Sequence, residues 1–209
     1  MTIYSLYIYD RHCACVYYQD WHRNKPPRPG NEGSILPAVA RQVYQQRAID
    51  GTLGVTHESR PGSALSPTTG VIVAVNDEVP RTPLPTQTSM PVQTGLPFDE
   101  EAKLVYGVVL SLRNMIKKLS GRDEQFVNYR TSTYKLHLYE TLSGYKFIML
   151  SDPNADSLRF VLRQIYAGPF LEYVVRNPLV GMDSKEHGID NEYFRTSTDR
   201  MIRGLSVFQ

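Results

Sequence analysis

Cysteine is nearly absent: the 209-residue chain has two, Cys13 and Cys15. They stand one residue apart, and a bond between such near neighbours would strain the geometry a disulfide requires. They read as reduced core thiols on one side of a strand, in a chain suited to a reducing compartment, the cytosol. Long apolar runs are missing too. Residues 71–75 form the longest away from the start and are far too short to cross a bilayer. The alternating start, residues 1–9, lacks the basic lead and continuous apolar stretch of a signal peptide. Excess charge is missing as well. A formal net charge of +2 leaves no electrostatic footprint for nucleic acid. No Asn-x-Ser/Thr acceptor occurs, so nothing points to a glycosylated surface.

Catalytic signatures are equally scarce. There is no Gly-x-x-x-x-Gly-Lys-Ser/Thr phosphate loop and no Gly-x-Ser-x-Gly nucleophile elbow. No two histidines stand at a metalloprotease spacing. His12, Cys13, Cys15 and His22 are metal-ligating types, but without the spacing of a zinc site. The close carboxylates Asp77–Glu78, Asp99–Glu101 and Asp123–Glu124 suit helix starts, turns and loops better than acid–base chemistry. The expectation is a protein with no catalytic, cofactor or metal residues, and not an enzyme.

What is present falls into three parts: a hairpin at 1–22, an insertion at 23–97 and a remainder at 98–209. The insertion carries eleven of the fourteen prolines and seven basic against five acidic residues, so the net charge resides there. Its composition reads as largely unstructured, because it offers too little apolar surface to offset its ordering entropy. Within it, residues 35–49 suit a short helix and 71–75 a strand or docking peptide. Deleting 25–95 is expected to leave folding intact.

The hairpin consists of two β-rich runs, 3–9 and 13–18, around a tight turn. Tyr4, Tyr7, Tyr9, Tyr17 and Tyr18 crowd it, which fits either a half-buried strand or a protein interface. A long helix is expected over 99–120, with Asp99 as N-cap and Gly121 as stop. Its stripe of Leu104, Val105, Val108, Val109, Leu112, Met115, Ile116 and Leu119 asks to pack on a sheet. Three strands follow, over 125–131, 134–140 and 145–151. The middle one alternates an apolar face with a polar face of Lys135, His137 and Tyr139; both faces of the last are apolar. A helix from the region of Asp152 should break or kink at Gly168–Pro169, and a final helix covers 191–204. The fold class is therefore α/β (α+β), order ββαβββαα: a five-stranded antiparallel sheet with helices on both faces. Arg113, Lys117, Lys118 and Arg122 gather at the end of the long helix. They are either a solvated, dipole-matched helix end or a contact surface for an acidic partner.

Several segments in one order resemble a known family. IYSLYIYDRHCACVYYQDWHR at 3–23, EEAKLVYGVVLSLRNMIKKLS at 100–120, TSTYKLHLYETLSGYKFIMLSD at 131–152 and VLRQIYAGPFLEYVVRNPL at 161–179 look like the smallest longin-like subunit of TRAPP, the transport protein particle. The resemblance to this TRAPP subunit one family spans nearly all of the chain outside the insertion, where family members have a short linker. It implies a longin-like fold and a non-catalytic place in the core of a vesicle-tethering complex. That complex acts as guanine-nucleotide exchange factor for the Rab GTPase of endoplasmic-reticulum-to-Golgi transport. The implied partners are other TRAPP subunits, including a second longin-like one, and the Rab GTPase through the assembled complex. The implied location is cytoplasmic and peripheral at Golgi and endoplasmic reticulum membranes, reached through the complex. The competing reading is a SNARE-type longin regulatory domain in membrane traffic. The absence of a heptad repeat or membrane segment before Gln209 speaks against it.

Overall fold

Residues that are apolar on both sides of a strand demand cover on both sides of the sheet. Leu6 and Ile8 of the first strand face one cluster, and Tyr7 and Tyr9 face the other. The computed structural model describes residues 2–22, 35–50, 96–120, 126–179 and 186–205. Within them β1 (Ile3–Tyr9) and β2 (Cys15–Asp20) form the hairpin. The helices α1 (Pro37–Asp50) and α2 (Phe98–Ser120) follow, then β3 (Asn128–Arg130), β4 (Lys135–Glu140) and β5 (Lys146–Ser151). The sheet is antiparallel, in the order β2-β1-β5-β4-β3. A helical stretch, α3 (Arg159–Ile165), continues as a π-helical segment (Tyr166–Val175), and α4 (Glu192–Arg203) closes the described chain.

The two central strands hold the layers together. On one side Tyr7, Tyr9, Leu138 and Ile148 pack with Val39 and Val43 of α1 and Phe98, Ala102 and Val109 of α2. On the other Leu6, Ile8, Phe147 and Met149 pack with Leu162, Ile165, Phe170, Phe194 and Ile202. Four of the five hairpin tyrosines are core residues rather than an interface; Tyr4 is half-buried. Tyr7, Tyr9, Tyr17 and Tyr18 are buried, and each hydroxyl has an acceptor. Tyr7 donates to Glu101 Oε1 at 2.6 Å, Tyr9 to the Ala102 carbonyl at 2.7 Å, Tyr17 to Gln19 Oε1 at 2.6 Å and Tyr18 to Asp20 Oδ2 at 2.9 Å. Burial pushes the Tyr7 and Tyr9 hydroxyls well above the usual tyrosine range, with neighbouring acidic groups adding to it.

Four expectations need correction. Cys13 is not a core thiol: it is exposed in the hairpin turn, at φ 69°, where the Asp10 carboxylate accepts from the His12 and Ala14 amides. Asp99 lies within the first turn of α2 rather than capping it. The second face of β4 is not solvated: His137 is fully buried. Its Nε2 is 2.9 Å from Ser151 Oγ, and its Nδ1 accepts the Leu158 amide at 3.3 Å. Of the break or kink expected at Gly168–Pro169, the break does not occur. Pro169 has no N–H to return to an i−4 carbonyl, and the chain widens into π-helical turns instead. The Arg176 amide accordingly bonds Leu171 O, five residues back.

The insertion contributes to the fold through α1. Val39 and Val43 are buried and Gln42 bonds the edge of β2. A deletion of 25–95 would therefore remove core residues. The rest of the insertion, 23–34 and 51–95, including the apolar 71–75, lies outside the described residues. α4 starts at a built cap: the Asn191 side chain accepts from the Tyr193 and Phe194 amides.

Candidate interaction surface

α2 has 23 residues, so it runs for ~34 Å at 1.5 Å per residue. The strands beneath it have six or seven residues and reach only ~20 Å. The helix therefore outruns its sheet. Phe98, Ala102 and Val109 are buried, while the apolar stripe is too wide and too long to be covered. Leu104 is 56% exposed, Met115 50% and Leu119 78%. The expectation that the whole stripe packs on the sheet thus holds for its inner half. The outer half forms an unpartnered apolar row among the described residues. Along it Leu104, Gly107, Val108 and Ser111 form one wall of an open groove of about 510 Å3, with Tyr129 and Tyr134 opposite. A Cβ on Gly107 would meet nothing within 4 Å, so this wall is low and open.

The basic residues at the end of the helix are placed unequally. Arg113 is half-buried and donates from Nη1 to Glu140 Oε1 at 3.1 Å, a bond from α2 to the end of β4. Glu140 is also 3.8 Å from Lys146 Nζ. That ammonium stands over the Tyr106 ring, 5.8 Å from its centroid. The Cys13 thiol donates to the Tyr106 hydroxyl at 2.7 Å. Burial, then the Cys13 hydrogen bond, push the Tyr106 hydroxyl up to about 12. Arg113 thus belongs to a network linking the hairpin tip, α2 and the β4–β5 turn. Lys117 and Lys118 are exposed in the last turn, and Arg122 lies outside the described residues.

The structure does not bring His12, Cys13, Cys15 and His22 into a ligand set. Among the described residues no group of three or more His, Cys, Asp or Glu is arranged to hold a metal ion. Cys15 donates to the Tyr17 carbonyl at 3.5 Å, and burial pushes its thiol up to about 12, so it stays protonated. No helix among the described residues is long and apolar enough to cross a membrane. The chemistry on offer is a protein-contact chemistry: an apolar row on a long helix ending in exposed ammonium groups. The sequence shows both the charges and the apolar stripe but not that the sheet leaves Leu104, Met115 and Leu119 uncovered, although the 22-residue length expected for the helix already exceeded any strand.

A family model described as the Sybindin-like family matches residues 3–205. Transport protein particle subunit bet5 of Schizosaccharomyces pombe is 33% identical over 211 aligned residues, covering 100% of both chains. Trafficking protein particle complex subunit 1 of Homo sapiens is 28% identical over 210 residues, covering 100% of this chain and 97% of its own. Over 53 residues, 25% of this chain and 24% of the other, identity with trafficking protein particle complex subunit 4 of Pongo abelii is 38%.

Proposed function

The chain belongs to the Sybindin-like family, and from that membership we propose that it is a non-catalytic core subunit of a transport protein particle, the TRAPP complex. It makes and breaks no covalent bond; it holds neighbouring subunits in place. The relatives' names, each a subunit of such a particle, support this reading. The observation that carries it is the outward face of α2. Leu104, Met115 and Leu119 are exposed on a helix whose inner face is already packed, as expected where another protein completes the core. A second longin-like subunit is the partner proposed, in keeping with the similarity to a differently numbered subunit over 53 residues.

The assembled complex acts on an early-secretory Rab GTPase as its guanine-nucleotide exchange factor in endoplasmic-reticulum-to-Golgi transport. Such a factor works by binding the nucleotide-free GTPase better than the nucleotide-bound form, which requires no acid–base group. Lys117, Lys118 and Arg122 contribute rim charge toward the GTPase or an adjacent subunit, while Arg113 is tied to Glu140. The chain works in the cytoplasm, held at Golgi and endoplasmic reticulum membranes through the complex. Affinity purification of the chain followed by mass spectrometry tests the reading. Other TRAPP subunits should be recovered, and Leu104→Asp with Leu119→Asp should deplete at least one of them. Recovery of none would overturn it.

A further inference from the structure

β2 is an edge strand of the sheet, six residues long and buried over its middle four. An uncovered edge of that length and apolarity is a template for pairing with another chain. The Trp21 amide donates to Tyr4 O, so alternation turns the Tyr18 backbone groups outward, and the register shift opposite Ile8 and Tyr9 leaves Val16 as an extra residue of β2 with its carbonyl turned away from β1. Both have partners that belong to no strand. The Tyr18 amide donates to Gln42 Oε1 at 2.9 Å, and the Val16 carbonyl accepts from the Ile189 amide at 2.8 Å. The other end of the same side-chain amide, Gln42 Nε2, donates to Ile189 O at 3.0 Å. One buried glutamine on α1 therefore bridges the strand edge and the incoming segment.

Further contacts seat the helix there. The Ala38 amide donates to His187 O at 2.9 Å, and Arg41 is ion-paired with Asp190. Gly188 lies between them at φ 78°, where a Cβ would stand 3.0 Å from Val16 O and 3.3 Å from Ala38 Cβ. Only glycine permits so close an approach in that conformation. The opposite edge is guarded differently: β3 has three exposed residues, and Arg130 supplies a charge, both of which discourage pairing. A 14-residue helix such as α1 is marginal alone in water, so its order depends on this seat.

We propose that α1 is a guard on the β2 edge. The Gln42 amide and the His187–Asp190 segment occupy the hydrogen-bonding positions that a strand from a second copy of this chain would otherwise take, and withdrawal of α1 opens β2 to self-association. This proposal does not depend on the partners of α2.

The full-length chain carrying Gln42→Leu tests it, since leucine preserves volume and makes neither bond. Hydrogen exchange at the Tyr18 amide should accelerate by at least about tenfold, the loss of one buried hydrogen bond. Sedimentation across a concentration series should show association beyond that of the unsubstituted chain. Adding Asp20→Pro removes the next outward N–H of β2 and should reverse the added association, whereas Asp20→Ala, which loses the same bond from the Tyr18 hydroxyl but keeps the N–H, should not. Unchanged exchange at Tyr18, unchanged sedimentation of Gln42→Leu, or association that persists undiminished with Asp20→Pro would each overturn the proposal.

Discussion

Arg113 and Glu140 join the middle of α2 to the end of β4 through a 3.1 Å hydrogen bond between side chains 36% and 30% exposed. A pair this accessible contributes ~0.2–1 kcal/mol and is weakened by salt. Arg113 therefore has an internal task that Lys118, exposed in the last turn, is not shown to have. Arg113→Ala is expected to lower unfolding free energy by up to about 1 kcal/mol in urea denaturation. Lys117→Glu with Lys118→Glu should cost only a few tenths, on the order of the dipole interaction at a helix end. The same double reversal should slow nucleotide exchange by the purified complex, most clearly at low salt, without dissociating it. Rates unchanged at every salt concentration would remove these lysines from the contact.

Tyr7 reaches from the centre of the sheet to Glu101 in the first turn of α2, 2.6 Å away. Hydrogen bonds to charged groups contribute ~1.5–3 kcal/mol. Tyr7→Phe should lose stability in that range by urea denaturation. Tyr9→Phe, which deprives only the Ala102 carbonyl of a partner, should lose about 1 kcal/mol. Equal losses would contradict the assignment of the stronger bond to Tyr7.

His137 gives the fold an acid sensitivity. Burial, and secondarily the charge of Lys135, lower its pKa from 6.5 to about 4. The neutral ring is thus the native form, and between those values the unfolded chain binds a proton that the folded chain does not. The contribution is complete above pH 6.5 and is lost as pH falls toward 4, at up to about 1.4 kcal/mol per pH unit. Denaturation midpoints measured from pH 7 to 4.5 should fall more steeply in the native chain than in His137→Gln. Parallel curves would contradict it.

The two deletions suggested by the insertion should behave differently. Replacing residues 52–93 with a short Gly/Ser linker leaves α1 in place and should change stability little, because closure entropy varies slowly with loop length. Removing 25–95 takes away buried Val39, Gln42 and Val43. At ~1.5–3 kcal/mol for each large apolar side chain buried, that loss should lower the denaturation midpoint sharply or yield insoluble protein. A stable 25–95 deletion would show that α1 is dispensable to the core.

The sequence showed most of the elements because their periodicity is strong: α2 lies one residue from its expected start, and α4 begins after the asparagine that caps it. Periodicity reports which side of an element is apolar, not how much neighbour there is to cover it. It therefore set Leu104, Met115 and Leu119 against the sheet although they are exposed, and placed buried His137 on a polar face. A proline marks which hydrogen bond is lost; whether the helix stops or widens depends on its packing, and here Pro169 and Phe170 are buried. The basic residues of the candidate surface were visible by type. The bond between Arg113 and Glu140 joins residues 27 apart and becomes visible only when α2 lies across β4.

The proposed place of this chain in an exchange complex is tested most directly by reconstitution. The complex is assembled from purified subunits with and without this chain, and release of bound nucleotide from its Rab GTPase is followed. The account predicts that the complete assembly accelerates release and that omission of the chain abolishes the acceleration. A stable assembly that is equally active without it would contradict the account.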